Sequence, residues 1–225
     1  MKYLIGCPTR RGLVHFKTAL TMQTIVGALA TQGHSCSTTM VAGADVVEAR
    51  NRLATQFVAS DCDWMIGIDD DIGVSPDVAL GMIKANLDYV GVCIPPRQLD
   101  LEMFAQNIRN GMSDRDAQLH AAPLIDGAGL PDGISPVERV GTGFFVLRKT
   151  VLERILASGN VTKKVSNLPG QDYASHGFYD CLIDDNGGRL SEDYSFCKRA
   201  RASGIPIHAY KGQGITHSGE MTFSS

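Results

Sequence analysis

Residues 64–72 read Trp64-Met65-Ile66-Gly67-Ile68-Asp69-Asp70-Asp71-Ile72, an unbroken apolar run that ends in three carboxylates. A run without polar alternation suits a parallel strand covered on both faces. Outward from it, short apolar runs alternate with helical periodicities. Upstream, residues 2–7 form a first strand that stops at Cys7-Pro8-Thr9-Arg10. Residues 16–32 then place Phe16, Ala19, Leu20, Ile25 and Leu29 at helical spacing before Gly33. A second strand spans 37–41, and a second helix spans 45–60 with Val46, Val47, Ala49, Leu53, Phe57 and Val58 toward the core. Downstream, Ser75-Pro76-Asp77 opens a helix to about residue 86, with Ser75 as its cap, and Tyr89–Cys93 is a fourth strand. This alternation predicts an α/β fold: a mainly parallel central sheet flanked by helices, with ligands beyond the carboxyl ends of its strands.

The rhythm breaks over residues 95–135, which hold Pro95, Pro96, Pro123, Pro131 and several glycines, with helical character only at 101–110. So irregular a stretch is either a binding excursion or disordered. Order returns with a strand from Val137 to Arg148, interrupted by Gly141-Thr142-Gly143, and a helix over 150–157. A helix over 191–203 follows, between Ser191 as cap and Gly204 as stop, and a late strand over 205–209 leads to His217.

The 225 residues are 44% hydrophobic and 20% charged, which excludes a disordered or fibrous chain and reads as one domain spanning 1–225. At this length a core can remove roughly 70% of the unfolded surface from water without disulfides or a structural metal. A net charge of −3 excludes a chain-wide field for nucleic acid or membrane. Locally the balance is uneven: residues 1–60 carry six basic and two acidic side chains, and residues 61–102 carry two and nine. Six cysteines without a CxxC pair read as reduced thiols, and the amino-terminal apolar run is too short for a signal peptide or a membrane span. A cytoplasmic protein is expected.

Several residues offer chemistry. On an extended chain Asp69 and Asp71 project to one side and Asp70 to the other, so Asp69 and Asp71 could share a hard divalent cation, manganese or magnesium; the plain alternative is a solvated acidic turn. Arg50 and Arg52 could reach a diphosphate or hold the acidic loop, and either could equally be a surface ion pair. Backbone groups of Pro8, Thr9 and Arg10 could support a nucleotide's base and ribose. Glu192 and Asp193 open a helix, where the dipole keeps a carboxylate ionised as a general base; ordinary capping explains them as well. His217 could be a third metal ligand and Lys211 could neutralise a phosphate. No phosphate loop of the GxxxxGK[ST] type, no GxGxxG after the first strand, no HExxH and no GxSxG occurs.

In order, Ala49-Arg50-Asn51, the 64–71 stretch, Val140-Gly141-Thr142-Gly143-Phe144-Phe145, Glu192-Asp193-Tyr194 and His217 resemble the family 2-like glycosyltransferases of the GT-A fold, in their compact bacterial or phage form. The resemblance implies a nucleotide-binding half over 1–95 and an acceptor-binding half over 96–225. It implies a nucleoside diphosphate sugar as donor, read as a UDP-sugar, and an acceptor hydroxyl on a glycan or a hydroxymethylated base of phage DNA. Asp69 and Asp70 would lie by the ribose or metal, Asp71 and His217 on the metal, and Arg50 by the diphosphate. Gly141, Thr142 and Gly143 would border the sugar, and Asp193, beside Glu192, would take the acceptor's proton, with inversion at the anomeric carbon. Asp45 is the candidate for uracil contact. A DNA acceptor would use Lys163, Lys164, Lys198, Arg199 and Arg201. The rivals are a sugar-1-phosphate nucleotidyltransferase, a non-catalytic nucleotide-sugar-binding module and a calcium-binding surface protein.

Overall fold

The computed structural model describes residues 1–122, 127–165 and 173–219. The chain runs β1 (Lys2–Thr9), α1 (Phe16–Thr31), β2 (Ser35–Ala42), α2 (Val46–Ala59), β3 (Trp64–Ile68), β4 (Ile72–Val74), α3 (Pro76–Lys84) and β5 (Tyr89–Val92). It continues through α4 (Leu101–Arg109), α5 (Asp114–Leu119), β6 (Gly133–Val137), β7 (Phe144–Arg148), α6 (Lys149–Ala157), β8 (Lys163–Val165) and β9 (Ala174–His176). The last elements are α7 (Glu192–Ala202), β10 (Ile207–Lys211) and β11 (Ile215–His217).

Seven strands form one sheet in the order β2-β1-β3-β7-β5-β10-β6. Five run in one direction, and β7 and β6 run against them. The expected sheet flanked by helices is present: α1 and α3 pack on one face, and α2, α6 and α7 on the other. β3 shows why its sequence is apolar throughout. Trp64, Ile66 and Ile68 enter the core under α1 and α3, while Met65 enters the opposite core, because successive side chains alternate across a strand. Gly67 shares the face of Met65, and a methyl group there would land on the ring of Phe145, itself packed against Tyr89.

Several local readings are corrected. Phe16, Ala19 and Leu20 face outward, and the buried stripe of α1 is Thr18, Thr21, Met22, Ile25 and Leu29. The threonines are inside because their hydroxyls have partners: Thr18 Oγ1 donates to the Ile72 carbonyl (2.7 Å), and Thr21 Oγ1 accepts from the Val74 amide (2.9 Å). Ser75 occupies the N-cap of α3 without a side-chain bond to the helix. The single strand expected over 137–148 is only β7, between β3 and β5: Val137 is the last residue of β6, which lies beside β10, and residues 138–143 are not strand. α5, β6, β11 and the β8–β9 hairpin were not foreseen, and part of the 95–135 segment, including Pro123, lies outside the described residues. Among the described residues no helix is long and apolar enough to cross a membrane.

Two predictions follow from this packing. Gly67→Ala overpacks the centre of the sheet and should lower unfolding free energy by about 1–3 kcal/mol in a urea titration. Burial, reinforced by the carboxylates of Asp69, Asp70 and Asp71, pushes the Cys7 thiol up to about 12. A thiol reagent at pH 8 should therefore label half-exposed Cys181 in the native protein and reach Cys7 only after unfolding.

Candidate active site

β3 delivers its carboxylates to the edge of the sheet where the parallel strands end. Because β7 is antiparallel, its leading residues 141–143 come to that same edge. Asp69 continues the β3–β7 ladder there, its amide donating to the Gly143 carbonyl (2.8 Å). A side chain at Gly143 would strike Ile94 and stand 3.4 Å from Asp69 Oδ2, so glycine permits this close approach. Residues 69–72 then turn, with the Ile72 amide donating to the Asp69 carbonyl (3.2 Å), the His15 amide to the Asp70 carbonyl (2.7 Å) and the Ser218 amide to the Asp71 carbonyl (2.8 Å).

That turn separates two carboxylates expected to act together. Asp69 faces α2, where buried Arg50 donates through Nη2 to both of its oxygens, at 2.9 and 2.8 Å. Arg50 Nη1 donates to Glu192 Oε1 and Asp193 Oδ1, each at 2.8 Å. One guanidinium thus joins the end of β3 to the first turn of α7. Burial acts to lower the Arg50 pKa, but Asp69, Asp193 and Glu192 outweigh it and hold the pKa above its ordinary value. For Asp69 burial dominates: despite Arg50, desolvation with the neighbouring charges of Asp193 and Asp71 raises its pKa.

Asp71 turns the other way. β11 pairs with β4 so that His217 stands opposite Ile72, bringing His217 Nε2 to 3.5 Å from Asp71 Oδ2. Arg97, from the Pro-rich loop, places Nη1 2.9 Å from the same oxygen. The pairing outweighs burial in both directions, lowering the Asp71 pKa and raising that of His217. His217 Nδ1 lies 2.8 Å from the Pro95 carbonyl, which can only accept, so this nitrogen carries the proton and Nε2 faces Asp71.

Asp69, Gly141, Gly143, Asp193 and His217 line one cavity of about 260 Å³, together with Pro95 and Tyr194. Asp193 Oδ1 also receives the hydroxyl of buried Thr142. Pro8 lies close by, in a narrow crevice shared with Arg50, Asp69 and Thr142. Other candidates stand apart from the main cavity. Thr9 donates its hydroxyl to the Leu13 carbonyl (2.7 Å), and Arg10 is exposed. Asp45 caps α2 through the Glu48 amide (3.1 Å), and Lys211 donates to the Leu130 carbonyl (2.6 Å). Arg52 stacks on Tyr173, 4.2 Å from the ring centroid. Arg199 is buried, donating to the Phe178 and Asp180 carbonyls, and Lys164 pairs with Asp180, so neither offers a charge to a polyanion. Arg97 and the Pro95 carbonyl are the site features that motif reading missed, since no sequence pattern marks them, and Tyr194, quoted only as a neighbour of Asp193, lines the cavity itself.

The donor chemistry for a divalent cation is present in part. Asp71 and His217 converge, and the Nδ1 bond to a backbone carbonyl is the usual support for an imidazole ligand. Asp69 does not complete the set, because Arg50 Nη2 donates to both of its oxygens. Among the described residues no group of three or more His, Cys, Asp or Glu could hold a metal ion.

No protein-family model and no curated protein matches the chain. Among solved structures it is similar to A197 from STIV, at 13% identity over 100% of this chain and 98% of that one, with a TM-score of 0.44. It is also similar to a Drosophila β1,4-galactosyltransferase 7 mutant in complex with manganese, UDP-Gal and xylobiose, at 12% identity over 97% and 71%, with a TM-score of 0.49. A third is a glycosyltransferase involved in glycosylation of the major capsid of PBCV-1, at 12% identity over 71% and 67%, with a TM-score of 0.32. At these similarities none of them assigns a role to a residue of this chain.

Arg50→Met tests the junction. It leaves Asp69, Glu192 and Asp193 without their shared cation and should cost about 3–5 kcal/mol at neutral pH. Asp69, already raised by burial, loses the cation that opposes that rise, so the penalty grows as pH rises through the carboxylate range and shrinks toward pH 4. Parallel urea titrations of both proteins at pH 4 and pH 7 measure the difference.

Proposed function

We propose that this chain is a GT-A glycosyltransferase that moves a sugar from a nucleoside diphosphate, read as UDP, to an acceptor hydroxyl. The observation that carries the reading is the meeting of Asp69, Gly141, Gly143, Asp193 and His217, from four separate stretches of sequence, around one cavity at the carboxyl edge of β3. Its walls are acidic, which suits a diphosphate only in company with a cation. Asp71 and His217 would hold manganese or magnesium, and the bound ion supplies electrophilic stabilisation of the departing nucleoside diphosphate.

The chain does the rest. Gly141 and Gly143 keep the wall free of side chains where the donor's sugar would lie. Arg50 and Thr142 fix Asp193 through Oδ1, leaving Oδ2 to take the proton of the attacking hydroxyl. Attack from the side of Asp193, opposite the leaving group, inverts the anomeric carbon. Asp69, locked onto Arg50, positions α7 and with it the base, a role different from metal ligation.

The test is turnover of a panel of UDP-, GDP- and dTDP-sugars with manganese. Asp71→Ala should abolish metal-dependent UDP binding in calorimetry. Asp193→Asn should bind UDP as wild type does and lose transfer by about 10²-fold or more. Interchanged phenotypes would refute the roles, and an inactive wild type across the panel would refute the class.

A further inference from the structure

A second cavity, of about 460 Å³, adjoins the first, and Tyr194 lines both. Its chemistry is opposite. Arg139, Lys198 and Arg201 line it against the single carboxylate of Glu138, so three cations face one anion. Arg139 is set by cation–π stacking, its guanidinium carbon 4.4 Å from the Tyr194 centroid. Lys198 and Arg201 sit one turn apart on α7. Their ion pairs are loose and wet: Lys198 is 3.7 Å from fully exposed Asp185, and Arg201 is 3.9 Å from exposed Glu138. Pairs of this kind are easily exchanged for a better anion.

We propose that this cavity is an acceptor subsite for a phosphate ester, holding the phosphate of a compact phosphorylated sugar while its hydroxyl reaches past Tyr194 toward Asp193. The inference rests on the transferase reading for the words acceptor and hydroxyl, and on the cavity's own charge for the phosphate. Guanidinium forks and an ammonium are the groups that bind phosphate oxygens. The volume fits one or two sugar units. A polynucleotide would need a basic track beyond this cavity. Here the adjoining cavity is acidic, and Arg199 and Lys164 are already engaged within the fold.

The test is calorimetry on the full chain without donor, titrating glucose 6-phosphate, glucose and a short single-stranded oligodeoxynucleotide. Glucose 6-phosphate should bind about tenfold or more tightly than glucose. Lys198→Glu combined with Arg201→Glu should weaken it by about tenfold or more, and Lys198→Arg should preserve it. Melting temperatures verify folding; should the double variant not fold, Arg139→Gln carries the same expectation. Equal affinity for glucose and its phosphate, tighter binding of the oligonucleotide, or indifference to charge reversal overturns the proposal. UDP titration with manganese separates the two readings. Phosphate-ester binding without UDP binding supports the anion site and overturns the transferase, whereas UDP binding without phosphate-ester binding overturns the subsite alone.

Discussion

One buried guanidinium organises the functional edge of this protein. Arg50, 6% exposed, meets Asp69 from the end of β3 and both Glu192 and Asp193 from the start of α7. Removing an arginine from water is expensive, and attraction to a single carboxylate often fails to repay it. Here several charge-assisted bonds share that cost. The three carboxylates would repel one another at such spacing, so the cation decides that they can converge at all.

The consequence is a division between two acidic groups that lie side by side in the sequence. Asp69 is held by Arg50 within the wall of the cavity, whereas Asp71 turns away from Arg50 to His217 and Arg97. Their separation is a property of the turn over residues 69–72, pinned by backbone bonds from Gly143, His15 and Ser218. A side chain at Gly143 would obstruct the approach of Asp69, and the threonines of α1 hold β4 in place behind the turn. The turn is therefore fixed by backbone hydrogen bonds and close packing.

Charge is sorted across Tyr194. On one side the walls carry Asp69 and Asp193; on the other they carry Arg139, Lys198 and Arg201. α7 contributes to both sides, Asp193 to the first and Lys198 and Arg201 to the second. Its first turn is acidic and its last is basic, as the helix dipole favours at each end. A preference that stabilises the helix locally thus also places unlike charges in adjacent cavities.

Sequence reading recovered what depends on neighbours along the chain. Apolar runs and 3.6-residue periodicity located β1, β3, α2 and α7 to within a residue or two, because burial of a strand or a helix face is written in consecutive side chains. Among the residues around the cavity, Asp69 and Asp193 were legible for the same reason, each at the end of a recognisable element, whereas His217 ends β11, a strand that no pattern announces. What they do to one another was not legible. The partition of Asp69 from Asp71 depends on an arginine 19 residues upstream, and the claim of Glu192 and Asp193 on that arginine on a helix more than 140 residues away. How much of the expected strand over 137–148 is strand depends on which neighbours accept its hydrogen bonds, and the Arg97 contact depends on a loop without periodicity. Pairing between distant segments is settled by competition for shared partners in three dimensions, and only the tertiary structure records its outcome.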